Sequence, residues 1–270
     1  MIRELRARIG DRTIRYLEAG SGWPVVLLHA FPLNAEMWRP ELERVPEGWR
    51  FLAPDLRGFG PDAPSTPGTE RVTLDDMAED VGLLLDELEI EQAVIGGLSM
   101  GGYVTFALFR QAPDHFSGMI LADTKAEADT PEGREGRRKM IELAHTGGPA
   151  AVADALLPKL LGATTQARRP ALAPKVRQMI ESQRVEGIVA AIEAMMARPD
   201  STPELSRIPC PALVVVGDED ELTPPADAER MQNHISRSRL VVLPEAGHLS
   251  SLEAPDGFTL ALSDFLTSNL

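Results

Sequence analysis

Ser99 stands in Gly97-Leu98-Ser99-Met100-Gly101, a G-x-S-x-G pattern that joins the apolar run Val94-Ile95 to a second apolar run, Tyr103 to Phe109. A serine on so tight a turn is forced into a strained backbone conformation, which only near-absent neighbouring side chains permit. Gly97 and Gly101 leave that room. The hydroxyl then stands clear at the carboxyl end of a strand, with the Met100 amide and a helix start facing whatever it attacks. A serine hydroxyl is a poor nucleophile until a base takes its proton, and that base needs an orienting carboxylate. Among five histidines, His248 in Glu245-Ala246-Gly247-His248-Leu249 is the best-placed base, just past the last expected strand. His115 in a loop, His145 in the middle of the chain and His234 near a helix end read as solvated or structural. For the acid, Asp218-Glu219-Asp220-Glu221 offers four carboxylates after the penultimate strand, and spacing alone does not separate them.

The elements that must position these groups follow from hydrophobic periodicity. Leu5, Ala7 and Ile9 alternate with arginines, and after Gly10-Asp11 the alternation resumes at Ile14 and Tyr16, which predicts an antiparallel hairpin with one wet face. Pro24 to Leu28, Phe51 to Asp55, Ala93 to Ile95, Phe116 to Asp123, Pro211 to Gly217 and Arg239 to Leu243 are the further strand candidates. Continuous apolar runs of this kind suit strands covered on both faces. A proline-rich loop is expected beyond Gly60. Leu74, Met77, Ala78, Val81, Leu84, Leu85 and Leu88 fall at helical spacing behind a Thr73/Asp76 capping box. A helix is also expected after Pro224-Pro225, and a last one places Phe258, Leu262, Phe265 and Leu266 on one face. Strands alternating with helices predict an α/β architecture with a mostly parallel sheet.

Between Lys125 and Leu205 no strand candidate occurs, only helical stretches such as Arg138 to Ala144, Ala150 to Leu161 and Val185 to Met196. This piece contains no Phe, Tyr or Trp, and its charge sets it apart. It holds 12 Lys and Arg against 11 Asp and Glu, whereas the remainder holds 15 against 30. The expected organisation is a core of residues 1–124 and 206–270 with an all-helical insertion at 125–205. Its Met140, Met179, Met195 and Met196 read mainly as core filler.

At 270 residues the chain suits one large domain with an insertion, and 43% hydrophobic with 25% charged residues is ordinary globular composition. No apolar run approaches the roughly 18 residues of a membrane span, and the first eight residues alternate charged and apolar types, so neither a membrane span nor a secretory peptide is expected and the location expected is cytoplasmic. A net charge of -14 makes nucleic acid an unsuitable partner and slows the approach of anions. The single cysteine, Cys210, excludes an intramolecular disulfide and a cysteine-based zinc site. It reads as packing.

With nucleophile, acid and base in the order Ser, Asp, His, the chain resembles the α/β-hydrolase family over essentially its whole length. The resemblance implies Asp220 as the acid, three residues after the strand-ending Gly217 and a few before Pro224, with Asp123 as the fallback position used by some relatives. The family's H-G-x-P turn corresponds to His29-Ala30-Phe31-Pro32, so the Phe31 and Met100 amides are the expected oxyanion donors, although Ala30 replaces the usual glycine. The Asp55-Leu56-Arg57-Gly58-Phe59-Gly60 turn is structural by the same resemblance. The helical insertion, placed after the sixth strand, is then a lid, with Phe31, Met100, Met195 and Met196 as candidate substrate contacts. Neither metal nor cofactor is implied. Serine at the elbow disfavours dehalogenase and epoxide hydrolase chemistry, which uses aspartate there. A small-molecule carboxylesterase for mostly uncharged esters is the first expectation. A 3-oxoadipate enol-lactonase type activity is the alternative, with Lys125 or the Arg134, Arg137, Arg138, Lys139 cluster as its carboxylate-binding cation. C–C bond hydrolase, perhydrolase and ligand-receptor roles share the same motifs.

Overall fold

The computed structural model describes residues 1–63 and 71–269; part of the proline-rich loop expected beyond Gly60 falls on 64–70, outside the described residues. Eight strands form one sheet in the order β1-β2-β4-β3-β5-β6-β7-β8. They are β1 (Arg3–Ile9), β2 (Arg12–Gly20), β3 (Trp23–Leu28), β4 (Trp49–Pro54), β5 (Ala93–Leu98), β6 (Phe116–Ala122), β7 (Ala212–Gly217) and β8 (Ser238–Leu243). β2 pairs antiparallel with β1 and β4, and every pairing from β4 through to β8 is parallel. Along β3 the side chains alternate between two cores: Val26 and Leu28 join one, Val25 and Leu27 the other. That period of two lets a continuous apolar run serve both faces of a covered sheet.

The expected wet face of the first hairpin is found only on β1. On β2 every residue from Ile14 to Ala19 is buried, with Ile14 and Tyr16 in the core on one face and Leu17 and Ala19 in the core on the other. Its charges are buried as pairs: Arg15 reaches Asp55 at 2.9 Å and Glu4 at 3.0 Å, and Glu18 accepts from Arg50 at 2.6 Å. Removing one partner of such a pair leaves an uncompensated buried charge, so the pairs specify register more than they add stability.

The helices are α1 (Arg39–Leu42), α2 (Leu74–Glu87), α3 (Met100–Gln111), α4 (Pro131–Leu160), α5 (Ala163–Arg168), α6 (Leu172–Glu181), α7 (Val185–Ala197), α8 (Thr202–Leu205), α9 (Pro225–His234), α10 (Ser250–Glu253) and α11 (Pro255–Asn269). The capping box at Thr73 and Asp76 opens α2, whose Met77, Val81 and Leu84 pack with Phe106 of α3 on one sheet face. Phe258, Leu262, Phe265 and Leu266 of α11 bury on the other face with Trp38. Between β6 and β7 the regular elements are all helices. α4 is longer than expected and bends at Gly148, whose φ of 67° is non-helical and costs least in glycine. None of the described helices is long and apolar enough to cross a membrane.

Glu41 on α1 is fully buried, and neither carboxyl oxygen finds a hydrogen-bond partner among the described residues. Burial therefore pushes its carboxyl well above the ordinary 4.5, against the smaller opposing pull of backbone and Arg44. A folded-state pKa above the unfolded one means that stability is full below about pH 4.5 and falls as pH rises towards the folded value. Glu41→Gln is expected to raise the melting temperature at pH 8 and to change it little at pH 4.5. Each kcal/mol relieved corresponds to about 2–4 °C at this chain length, readable by calorimetry.

Candidate active site

Ser99 sits between β5 and α3 with φ 56° and ψ -112°, a left-handed conformation rare for a residue with a side chain. The turn is held by Ser99 N–H donating to Ala122 O at 2.9 Å and by the Thr124 hydroxyl donating to Ser99 O at 2.9 Å. A Cβ on Gly101 would stand 2.2 Å from Leu28 O, and one on Gly97 2.6 Å from the same oxygen. Glycine at both positions therefore lets α3 cross the end of β3 closely enough to hold the strained serine in place.

His248 follows β8 and is 3% exposed. Its Nε2 lies 2.8 Å from Ser99 Oγ and its Nδ1 2.8 Å from Asp220 Oδ2. In the tautomer this network requires, Nδ1–H donates to the carboxylate and Nε2 accepts the serine hydroxyl. Asp220 also accepts from Leu222 N–H at 2.8 Å, Thr223 N–H at 3.0 Å and the Thr223 hydroxyl at 2.7 Å. Burial raises its carboxyl pKa, but the charge and hydrogen bonds of His248 and Thr223 outweigh that and hold it below the usual range. The four-carboxylate ambiguity is resolved by burial, since Asp218 is exposed and Glu219 binds the Thr164 amide at 2.8 Å.

Asp123 lies one residue past β6 and does not bond to His248. It accepts the Gly217 amide at 2.9 Å and bonds the Ser250 hydroxyl. Burial first, and then the negative charge of Asp220, push its carboxyl well above the ordinary range. His29 is likewise structural: burial lowers its pKa to about 4, and its Nε2 accepts the Leu56 amide at 3.0 Å. Met100 is the first residue of α3, where helix amides have no intrahelical acceptor. Its side chain is buried in the core and does not line the cavity.

A cavity of about 320 Å³ opens above Ser99 and His248, with Phe31 and Tyr103 from the core and Met140, Leu156, Ile192 and Met195 from the helices after β6. Met196 is not part of its wall; one residue on from Met195, it turns about 100° round α7 and packs into the adjoining core. Of the basic cluster only Arg137 reaches the cavity, where Asp129 engages it, while Arg134, Arg138 and Lys139 are exposed. Asp129 also binds Arg198 at 2.8 Å, and the Arg198 guanidinium stacks 4.1 Å from the Tyr103 ring centre. The remaining cavity cations are Lys125 and Lys159. Among the described residues no group of three or more His, Cys, Asp or Glu side chains is arranged to hold a metal.

A family model described as alpha/beta hydrolase fold matches residues 24–255. The chain belongs to the α/β-hydrolase family. As an α/β-hydrolase it is 39% identical to an esterase from Thermogutta terrifontis solved with malate bound, at a TM-score of 0.91 and with 98% of each chain covered. It is 31% identical to the enol-lactonase from Burkholderia xenovorans LB400, at a TM-score of 0.88, over 98% of this chain and 100% of that one. A 3-oxoadipate enol-lactonase from Acinetobacter baylyi is 30% identical over 88% of this chain and 86% of its own.

Tyr103, Thr223 and Lys159 belong to this α/β-hydrolase site although sequence reasoning passed over them. Tyr103 was within reach of the i, i+4 rule, one helical turn from Ser99. Lys159 carries no such signal. It reaches the cavity because α4 bends at Gly148, which brings Lys159 to the same wall as Gly133 and Arg137.

Proposed function

We propose that this α/β-hydrolase is a cytoplasmic serine carboxylesterase that cleaves small to medium, mostly uncharged esters through an acyl-enzyme. The reading rests on one observation, the unbroken hydrogen-bonded chain from Ser99 Oγ through His248 to Asp220. Ser99 Oγ attacks the ester carbonyl as His248 Nε2 takes its proton, and the Phe31 and Met100 amides receive the negative oxygen. His248 then returns the proton to the departing alkoxide, which leaves as the alcohol. Water deprotonated by His248 attacks the acyl-enzyme and frees the acid and Ser99. Asp220, kept ionised, stabilises the imidazolium in both steps. A cavity of about 320 Å³ with Met140, Leu156, Ile192 and Met195 in its wall suits an aliphatic acyl or alcohol group of a few carbons.

Lys125 and Lys159 favour a second reading, a lactone or ester that carries a carboxylate. Besides Arg137, which Asp129 engages, two lysines line the cavity of a chain whose net charge is -14; Lys159 has no ion-pair partner among the described residues, and Lys125 lies in the field of Asp227. The enol-lactonase relatives and the malate-bound esterase point the same way. A panel of p-nitrophenyl esters, a neutral lactone and an anionic enol-lactone separates the two. Fast turnover of neutral esters, indifferent to Lys159→Ala, supports the carboxylesterase. Preference for the anionic lactone, with KM raised about 2- to 5-fold by Lys159→Ala as for an exposed ion pair, replaces it with the second reading.

A further inference from the structure

His248 must satisfy two bonds at once, 2.8 Å to Ser99 and 2.8 Å to Asp220, from a segment that has no regular secondary structure of its own. Its neighbours are glycine on one side and the start of the four-residue α10 on the other. Such a segment needs an external hold, because a site held loosely by about 1 Å forfeits most of its rate. The hold comes from Glu253, five residues on and only 4% exposed. One oxygen of its carboxylate accepts the Leu249 amide at 3.1 Å, directly after His248. The other accepts the Gly162 amide at 2.7 Å, from the turn between α4 and α5. Burial pushes the Glu253 carboxyl above its ordinary range, against the smaller opposing pull of the Gly162 amide, the Thr165 hydroxyl and the Gly247 and Leu249 amides.

The same turn is pressed against the histidine segment. A Cβ on Gly247 would stand 2.3 Å from Gly162 N, and Leu249 N–H also donates to Leu160 O at 3.2 Å. On the acid side, the Thr164 amide donates to Glu219 at 2.8 Å, and Glu219 N–H donates to Ala246 O at 2.8 Å. Leu160 to Thr164 is thus bonded to the segments of both His248 and Asp220, with the Glu253 carboxylate at the centre. We propose that Glu253 is a positioning residue for His248, and that its carboxylate locks the seating of the helical insertion at Gly162 to the placement of the imidazole. This rests on the catalytic reading of Ser99 and His248 above. It makes the C-terminal half of α4 and the turn after it part of the catalytic frame.

Glu253→Gln keeps the size of the buried side chain but turns one acceptor oxygen into an NH₂ group that faces an amide N–H. On the folded enzyme it is expected to lower kcat about 10- to 100-fold with KM within about twofold, and to slow fluorophosphonate labelling of Ser99 in parallel. Gly162→Ala, whose Cβ would stand 2.5 Å from the Glu219 carboxylate and 2.8 Å from Gly247 N and so unseats the insertion from both segments, is expected to give the same kcat-weighted loss and serves alone if the Gln variant does not fold. A lower melting temperature with unchanged kcat and labelling rate on the folded fraction overturns the proposal and leaves Glu253 a purely structural group. Failure of the catalytic reading looks different: wild-type protein is then not labelled at Ser99 at all.

Discussion

Ser99→Ala is expected to lower kcat for a p-nitrophenyl ester by about 10⁴-fold or more, and His248→Ala by a similar factor, with melting temperatures close to wild type. The two losses should not add. Each variant removes one end of a single proton path, Ser99 Oγ to His248 Nε2 at 2.8 Å, and once the path is broken the second deletion has little left to remove. Residual rate in either variant is expected from binding and from the Phe31 and Met100 amides proposed as oxyanion donors. Ser99 adopts a φ of 56° whichever side chain it carries, so alanine inherits the backbone strain and the fold is not relieved by much. Mass spectrometry after fluorophosphonate treatment checks the assignment independently, since wild-type protein should carry one label at Ser99 and both variants none. A label on another serine, or an Ala variant with near-normal turnover, removes Ser99 from the mechanism.

Two buried aspartates at neighbouring strand ends provide the second large effect, because they are expected to respond oppositely to the same substitution. Asp220→Asn should cost about 10³- to 10⁴-fold in kcat, as the amide no longer selects the imidazole tautomer that accepts the serine proton. Its carboxylate accepts four hydrogen bonds, from Leu222 and Thr223 amides, the Thr223 hydroxyl and His248, and an amide NH₂ placed there opposes at least one donor. Asp123→Asn should change kcat less than about threefold. Asp123 makes no bond to His248, burial and the Asp220 charge push its carboxyl well above the ordinary range, and Asn keeps an oxygen that can accept the Gly217 amide. Steady-state kinetics of the two variants on one ester decide the matter. Should Asp123→Asn be the costly one, the acid of the relay lies after β6 instead of after β7.

Much of the frame was legible because its determinants are local. The capping box at Thr73 and Asp76, the apolar runs of β3, β5 and β7, and the glycines around Ser99 each encode their own geometry within a few residues. β2 departs from the alternation because the coverage of a strand depends on groups remote in sequence: Arg15 falls on the face expected to be wet, and is buried where Asp55 and Glu36 meet it. The uneven charge around Lys125 was visible too, but which cations reach the cavity was not. Arg137 reaches it and is spent on Asp129, while Lys159 arrives through a bend at a single glycine.

By itself the sequence determined the order of strands and helices and the residue types at three strand ends, since periodicity and turn chemistry act over a few residues along the chain. Only the tertiary structure decided which of four adjacent carboxylates meets His248, that Met195 and not Met196 joins the cavity wall, and that Glu253 ties Gly162 to the amide after the histidine. The reason is physical: those outcomes depend on groups 28 to 149 residues apart meeting within hydrogen-bond distance, and such distances are set by packing of whole elements, for which no local pattern exists.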